Sequence, residues 1–405
     1  MKQLIQKLGP GLLFAGAAIG VSHLVQSTRS GADFGFSLLW ALLLVHLVKY
    51  PFFQFGPRYA SATGENLLEG YRKLGNGILK IYGILTFLTM FTIQSAVTIV
   101  TAGIATSLFG NFLSVKIWTV IILGLCFIIL NIGKYKLLDV LMKVIIITLT
   151  LTTLAATLMA FYNFNSTIKI AQYIPQGSIE ITFLIAFMGW MPAPLDVSVW
   201  QSIWTIEKNK TSVNKLDTKT ALLDFNIGYM GTVLLGICFV SLGALTMHGT
   251  GTSFSNSAGV FSVELIEIYT ESLGSWAYLI IGVAAFTTMF STTLTTLDAS
   301  PRSMNKTIEL IFKKPFKKGY LGWSLTLILG TLIIFFYFLS DMGRLIKVAT
   351  ILSFLTAPFY ALANYTLICS KYTPKQWRPS SFMHVLSCFG ILFLICFSGW
   401  YLTIL

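Results

Sequence analysis

Charge is what this sequence has least of. Only 11% of its 405 residues are Asp, Glu, Lys or Arg, against about 25% in soluble domains. Acidic residues are the scarcer sign, 15 against 28 Lys plus Arg, and histidine occurs four times. A chain of this length with so little polar surface cannot cover a core in water, which excludes a soluble enzyme. Cysteine is sparse as well. Cys126, Cys238, Cys369, Cys388 and Cys396 lie singly in apolar runs, without zinc or redox spacing, and read as small hydrophobes. No phosphate-binding loop or nucleophile triad occurs. Neither enzymatic catalysis nor a cofactor is expected.

What the sequence has in abundance is apolar residues, 55% of the chain, with a mean hydropathy of +0.77. A spanning helix needs about 20 mostly apolar residues. Eleven stretches meet or approach that length, near 9–31, 36–56, 79–108, 116–132, 138–161, 181–204, 222–247, 274–299, 320–339, 345–369 and 381–404. The first lacks a signal-peptide cleavage pattern and runs on into Arg29 and Asp33. The expected fold class is an all-α polytopic membrane protein, a single transmembrane domain over 1–405. Its first repeat covers about 9–161, its second about 181–369, and an additional helix about 381–404.

The basic residues sort by side. With the N-terminus inside, 21 of the 28 fall on the cytoplasmic face, while the 248–273 connection has Glu264, Glu267 and Glu271 and no Lys or Arg. This is the positive-inside asymmetry. It predicts a multi-pass protein of the cell's inner (plasma) membrane, N-terminus cytoplasmic and C-terminus external. The net charge of +13 is then topology, and nucleic acid is not an expected partner. The partners implied are the lipid bilayer and a small solute or metal ion.

Two spans are interrupted. The sixth contains Gly189-Trp190-Met191-Pro192-Ala193-Pro194, and two prolines one residue apart unwind a helix. The first carries Gly16 and Gly20 followed by Val21-Ser22-His23. Broken backbone at membrane depth is tolerated where it lines a cavity or is buried in protein. Breaks in spans one and six, five helices apart, are the pattern of inverted-repeat secondary transporters.

The remaining polar groups at that depth are candidates by cost alone. Asp196 stands near the start of the second half of the sixth span, where it either caps that half or meets a substrate or coupling ion. His23 is either a structural hydrogen bonder or a ligand and proton carrier. Ser22 and Gln26 continue down one face of the first span. In the eighth, Ser291, Thr295, Asp298 and Arg302 form one stripe, with Asp298 and Arg302 as a structural or gating pair and Thr292 and Thr295 as coupling-ion candidates. Lys347 in the tenth span is placed to attract an anion or neutralise a carboxylate, and Lys49 to snorkel to an interface. Trp190 beside the break is read with Trp200 and Trp204 as packing aromatics.

A family resemblance rests on Gly9-Pro10-Gly11-Leu12-Leu13-Phe14-Ala15-Gly16, Ser30-Gly31-Ala32-Asp33-Phe34-Gly35, Ala62-Thr63-Gly64-Glu65-Asn66-Leu67, Met191-Pro192 and Ser291-Thr292-Thr293-Leu294-Thr295. Together these resemble the Nramp metal-ion transporters along almost the whole chain. The resemblance implies the leucine-transporter-type fold, two inverted five-helix repeats plus an eleventh helix, with a central site between helices one and six. At that site the chain departs from the pattern. Gly20 and His23 stand where the family has its metal-binding Asp and Asn, and Ala193 where it has His. Gln94 and Val97 occupy the acidic third-helix positions, and Thr356 aligns with a tenth-helix Gln.

The expected substrate-binding set is therefore Gly20, Ser22, His23, Gln26, Met191, Ala193, Asp196 and Thr356. Asp298, Arg302, Thr295 and Lys347 are the coupling or gating candidates. Any metal would fall to Met191, His23 and Asp196. Three readings follow: a carrier of metal or another cation through a rebuilt site, a carrier of a small organic or anionic solute on the same scaffold, and a non-transporting membrane sensor. Hard and borderline divalent ions prefer carboxylate, imidazole and carbonyl donors, so ordinary proton-coupled manganese or iron uptake is not expected.

Overall fold

A computed structural model describes residues 9–403 except 111, 165–167, 169, 212–216, 252–253 and 339–340, and leaves the side chains of 133–142, 211, 269, 271–273, 277 and 338 undescribed. Lys2, Lys7, Lys169 and Lys215, used above in the charge count, lie outside the described residues. The described regular elements are all helices: α1 Pro10–Ala18, α2 Ser22–Phe34, α3 Leu39–Thr63, α4 Leu67–Leu74, α5 Asn76–Phe109, α6 Val115–Asn163 and α7 Ser178–Trp190. They continue with α8 Val197–Thr211, α9 Thr218–Thr246, α10 Ala258–Leu273, α11 Ala277–Phe312, α12 Gly319–Ile333, α13 Met342–Cys369 and α14 Ser381–Leu402. A turn of π-helix, Ile334–Phe338, extends α12, and a short 3-10 turn, Lys375–Trp377, precedes α14.

Both interruptions are present. The first span bends by 46° between α1 and α2, and α2 opens with π-helix over Ser22–Ser27. The sixth span is α7 and α8, separated by the extended stretch around Pro192 and Pro194. Three details differ from the sequence reading. Helix α6 is continuous through the expected connection between spans four and five, because the joining residues include no proline and one glycine is tolerated inside a helix. The 248–273 connection contains helix α10. The short helix α4 follows the second span, nucleated by a capping box between Asn66 and Glu69 after Gly64 ends α3 at a φ of 74°.

Burial divides centre from periphery. Two thirds of the apolar windows of α3, α5, α9 and α11 are buried in the protein, against 22–33% for the two apolar stretches of α6, for α12 and for α14. The latter lie at the periphery with most of their apolar surface exposed. The centre therefore consists of the broken spans with α3, α5, α9, α11 and half-buried α13.

Candidate functional site

The breaks converge on a small central cavity of about 30 Å³, room for about two water molecules. The first span contributes Ala17, Ala18, Val21 and Ser22, and α5 contributes Ile93 and Val97. Trp190, Ala193, Pro194, Val197 and Trp200 come from the sixth span, and Thr292 and Thr296 from α11. The wall is thus apolar apart from three hydroxyls and two indoles, and no ionisable side chain lines it among the described residues. Trp190 is anchored by donating from Nε1 to Ser353 Oγ at 2.8 Å. The indole N–H of Trp200 is buried without a partner among the described residues.

Around the cavity the polar groups bind one another. Ser22 Oγ donates to Ala18 O at 2.6 Å and lies 3.3 Å from Pro192 O, joining the two breaks. Gln94 accepts from Thr296 Oγ1 at 2.7 Å and donates to Thr98 Oγ1 and Thr293 O, a neutral bridge between α5 and α11. Thr292 Oγ1 donates to Gly16 O at 3.2 Å. Gly20 presses on the same residue: a Cβ at position 20 would lie 2.7 Å from Thr292 Oγ1. A side chain there has no space as the helices stand.

The expected site residues disperse. Ser22 and Ala193 line the cavity, and Gly20 packs beside it. His23 is fully buried, with Nε2 3.0 Å from Thr232 O of α9 and Nδ1 between Ser22 Oγ (2.7 Å) and Ala18 O (3.1 Å). Both ring nitrogens are engaged within the helix packing. Met191 and Asp196 are buried but are not wall residues, and Oδ1 of Asp196 has no hydrogen-bond partner among the described residues. Thr295 and Thr356 donate to carbonyls of their own helices. Thr296 is the cavity residue that the stripe argument passed over. The α11 stripe ran through Thr295, but the face turned to the site runs through Thr292 and Thr296.

Lys49 is where the sequence reading is corrected most. Rather than reaching an interface it is fully buried, and its Nζ donates to Met188 O and Gly189 O at 2.8 Å and to Met191 O at 2.9 Å, with Ala193 O at 3.5 Å. Met188 and Gly189 lie in the last turn of α7 and Met191 is its C-cap, where carbonyls are left without intrahelical partners, and Ala193 follows in the extended stretch. A break in a span that packs against the middle of α3 was not visible in α3's own pattern.

Two larger cavities flank the central one. The vestibule on the Arg29 side has a volume of about 350 Å³. Gln26, Arg29, Asn256, Arg344 and Lys347 line it, with Asp341 its one carboxylate. Only one helical turn separates it from the cavity on each broken span, Val25 from Val21 and Ala186 from Trp190. Arg29 donates to Ser255 O at 2.5 Å and to Asn256 Oδ1, holding the end of α2 to the segment before α10. On the opposite side another cavity of about 350 Å³ is lined by Glu69, Glu207, Lys210, Arg302 and Lys306. The expected Asp298–Arg302 pair forms there at 2.5 Å, with Tyr320 Oη donating to Asp298 at 3.0 Å. Glu69 pairs with Lys306 at 2.8 Å across α4 and α11.

A model of the natural resistance-associated macrophage protein-like (Nramp) family matches residues 11–404. An uncharacterised protein of Pasteurella multocida (strain Pm70) is 36% identical over 403 residues, 97% of this chain and 93% of that protein. Among solved structures, a variant of the Eremococcus coleocola manganese transporter superposes with a TM-score of 0.76 at 15% identity, covering 98% of this chain and 86% of the other. A nucleobase-cation-symport-1 family transporter with bromovinylhydantoin bound gives 0.60 at 17% identity, covering 97% and 92%. The transporter MhsT in complex with L-phenylalanine gives 0.64 at 13% identity, covering 96% and 98%. The shared architecture is the leucine-transporter-type fold.

Proposed function

Because this chain belongs to the Nramp family of membrane transporters, we propose that it is a secondary carrier whose central site has been rebuilt for a small organic or anionic solute instead of a divalent metal. The observation that carries this reading is the chemistry of the route. The cavity wall offers hydroxyls, indoles and apolar surface but no carboxylate, imidazole or thioether, while the vestibule beside it carries three basic side chains and one acidic. Such a route favours anions and lacks the carboxylate, imidazole and thioether side chains that divalent transition metals prefer. The free indole N–H of Trp200 and the hydroxyls of Ser22, Thr292 and Thr296 supply donors to an oxygen-bearing solute, and Val21, Ile93 and Val97 supply its apolar contact.

The positive-inside distribution supports a cytoplasmic N-terminus, so that the Arg29 vestibule opens outward and the Arg302 side inward. A small central cavity between two larger ones is the arrangement that alternating access about a central site needs. Ligand binding to the folded state raises its apparent stability by RT ln(1 + [L]/Kd), about 2.7 kcal/mol at 100 Kd. Purified protein should therefore be stabilised against heat by one or more of formate, acetate, lactate, succinate, glycine and ethylamine, and not by Mn²⁺ or Mg²⁺. Selective stabilisation by Mn²⁺, with saturable Mn²⁺ uptake abolished by Met191→Ala, would overturn the proposal.

A further inference from the structure

The end of α7 is already occupied by a cation belonging to the chain. From this we infer that Lys49 is a resident cation, its ammonium filling the carbonyl ring at the sixth-span break that a free metal or coupling ion would otherwise take. The carbonyls at a helix C-terminus lack intrahelical donors and carry the negative end of the helix dipole. Here three of them, from Met188, Gly189 and Met191, surround one nitrogen at 2.8–2.9 Å. An ammonium has three N–H groups, so its donors are matched one to one. No carboxylate among the described residues pairs with Lys49, which leaves backbone dipoles as its counter-charge.

The size of the ring indicates which free ion it would accept. Oxygens at 2.8–2.9 Å from a common centre lie farther out than the about 2.3–2.6 Å of calcium or the about 2.0–2.1 Å of magnesium. The ring suits an ammonium or a large monovalent ion. Lys49 also ties α3 to the break, so the second and sixth spans move as one body and this point needs no dissolved ion during the transport cycle. The inference stands whichever solute the central cavity carries.

The test is chemical rescue. Wild-type protein and Lys49→Ala are melted at constant ionic strength in choline, sodium, potassium, methylammonium or manganese chloride. Wild type should show the same melting temperature in choline, sodium, potassium and methylammonium. The variant should melt at least about 5 °C lower in choline and recover half or more of that loss in methylammonium or potassium, with manganese least effective. Where Lys49→Ala does not accumulate as folded protein, Lys49→Gln, which keeps two N–H donors, carries the same comparison. A variant as stable as wild type in choline, or a loss that no monovalent cation reverses, would overturn the inference.

Discussion

Gly20 shows how far a single position constrains the chemistry. The resemblance alone invites the idea that replacing this glycine with aspartate would restore a metal ligand. Thr292 stands in the way: a Cβ at position 20 would meet its Oγ1 at 2.7 Å and its Cγ2 at 2.8 Å. Thr292 in turn is held by Gly16 O and Thr288 O at 3.2 and 3.1 Å. Overpacking a core costs about 1–3 kcal/mol, and burying a carboxylate adds to it. Gly20→Asp should therefore lower the melting temperature by several degrees without conferring Mn²⁺ uptake. Adding Thr292→Ala should return much of the loss, a coupling above about 0.5 kcal/mol in a double-mutant cycle. Strict additivity would mean that the contact is not what excludes the side chain. The sequence revealed that position 20 lacks its carboxylate, but not that its neighbour had grown into the space. Nor did it reveal that His23 turns to α9 or that Lys49 reaches α7. Those facts depend on how each helix is rotated against its partners, which a one-dimensional pattern does not carry.

The broken first span survives as two short helices because α9 clamps both. Asp224 of α9 accepts from the backbone N–H of Gly11 at 2.7 Å and of Gly9 at 3.2 Å, capping α1 from outside. On α2 the backbones meet directly: a Cβ at Gly31 would lie 2.0 Å from Val240 O, and one at Gly243 2.1 Å from Thr28 O. Small residues of this kind let membrane helices approach closely, and backbone cannot yield as a rotamer does. Gly243→Ala should thus cost stability heavily, whereas Gly231→Ala on the same helix meets nothing within 4 Å and should be neutral or stabilising, by up to about 1 kcal/mol from helix propensity. Thermal unfolding of the two variants side by side decides it, and equal effects would remove the clamp from the account. Most spans were legible as elements because apolar length is a local property. The two breaks were legible because proline and glycine punctuate a helix wherever they stand. Helix α10 was not, since its connection was read by its charges alone. The continuity of α6 was missed because two spans' worth of apolar residues suggested a turn between them.

Considered whole, the molecule places its positive charge twice, for different ends. On the proposed orientation most of the basic residues fall on the cytoplasmic side, as the positive-inside rule would have them. Arg29, Arg344 and Lys347 do not belong to that group. They gather around the vestibule one helical turn from the central cavity, where Asp341 is the one carboxylate in the lining and Asp33 and Glu264 also oppose Arg29. Fields of this kind act mainly on encounter, and they are screened over about 10 Å at 0.1 M salt and about 3 Å at 1 M. Arg344 and Lys347 are exposed, so reversing them to glutamate should leave the melting temperature within about 1 °C. Uptake of an anionic solute should fall several-fold at low salt through a higher half-saturation concentration, and the difference from wild type should close as salt approaches 1 M. A neutral solute should show neither effect, which would narrow the substrate class while leaving the central site as described. Faster uptake of Mn²⁺ by the charge-reversed protein would instead mean that the vestibule had been holding back a cation the central site accepts, and the anion reading would fail on that result alone.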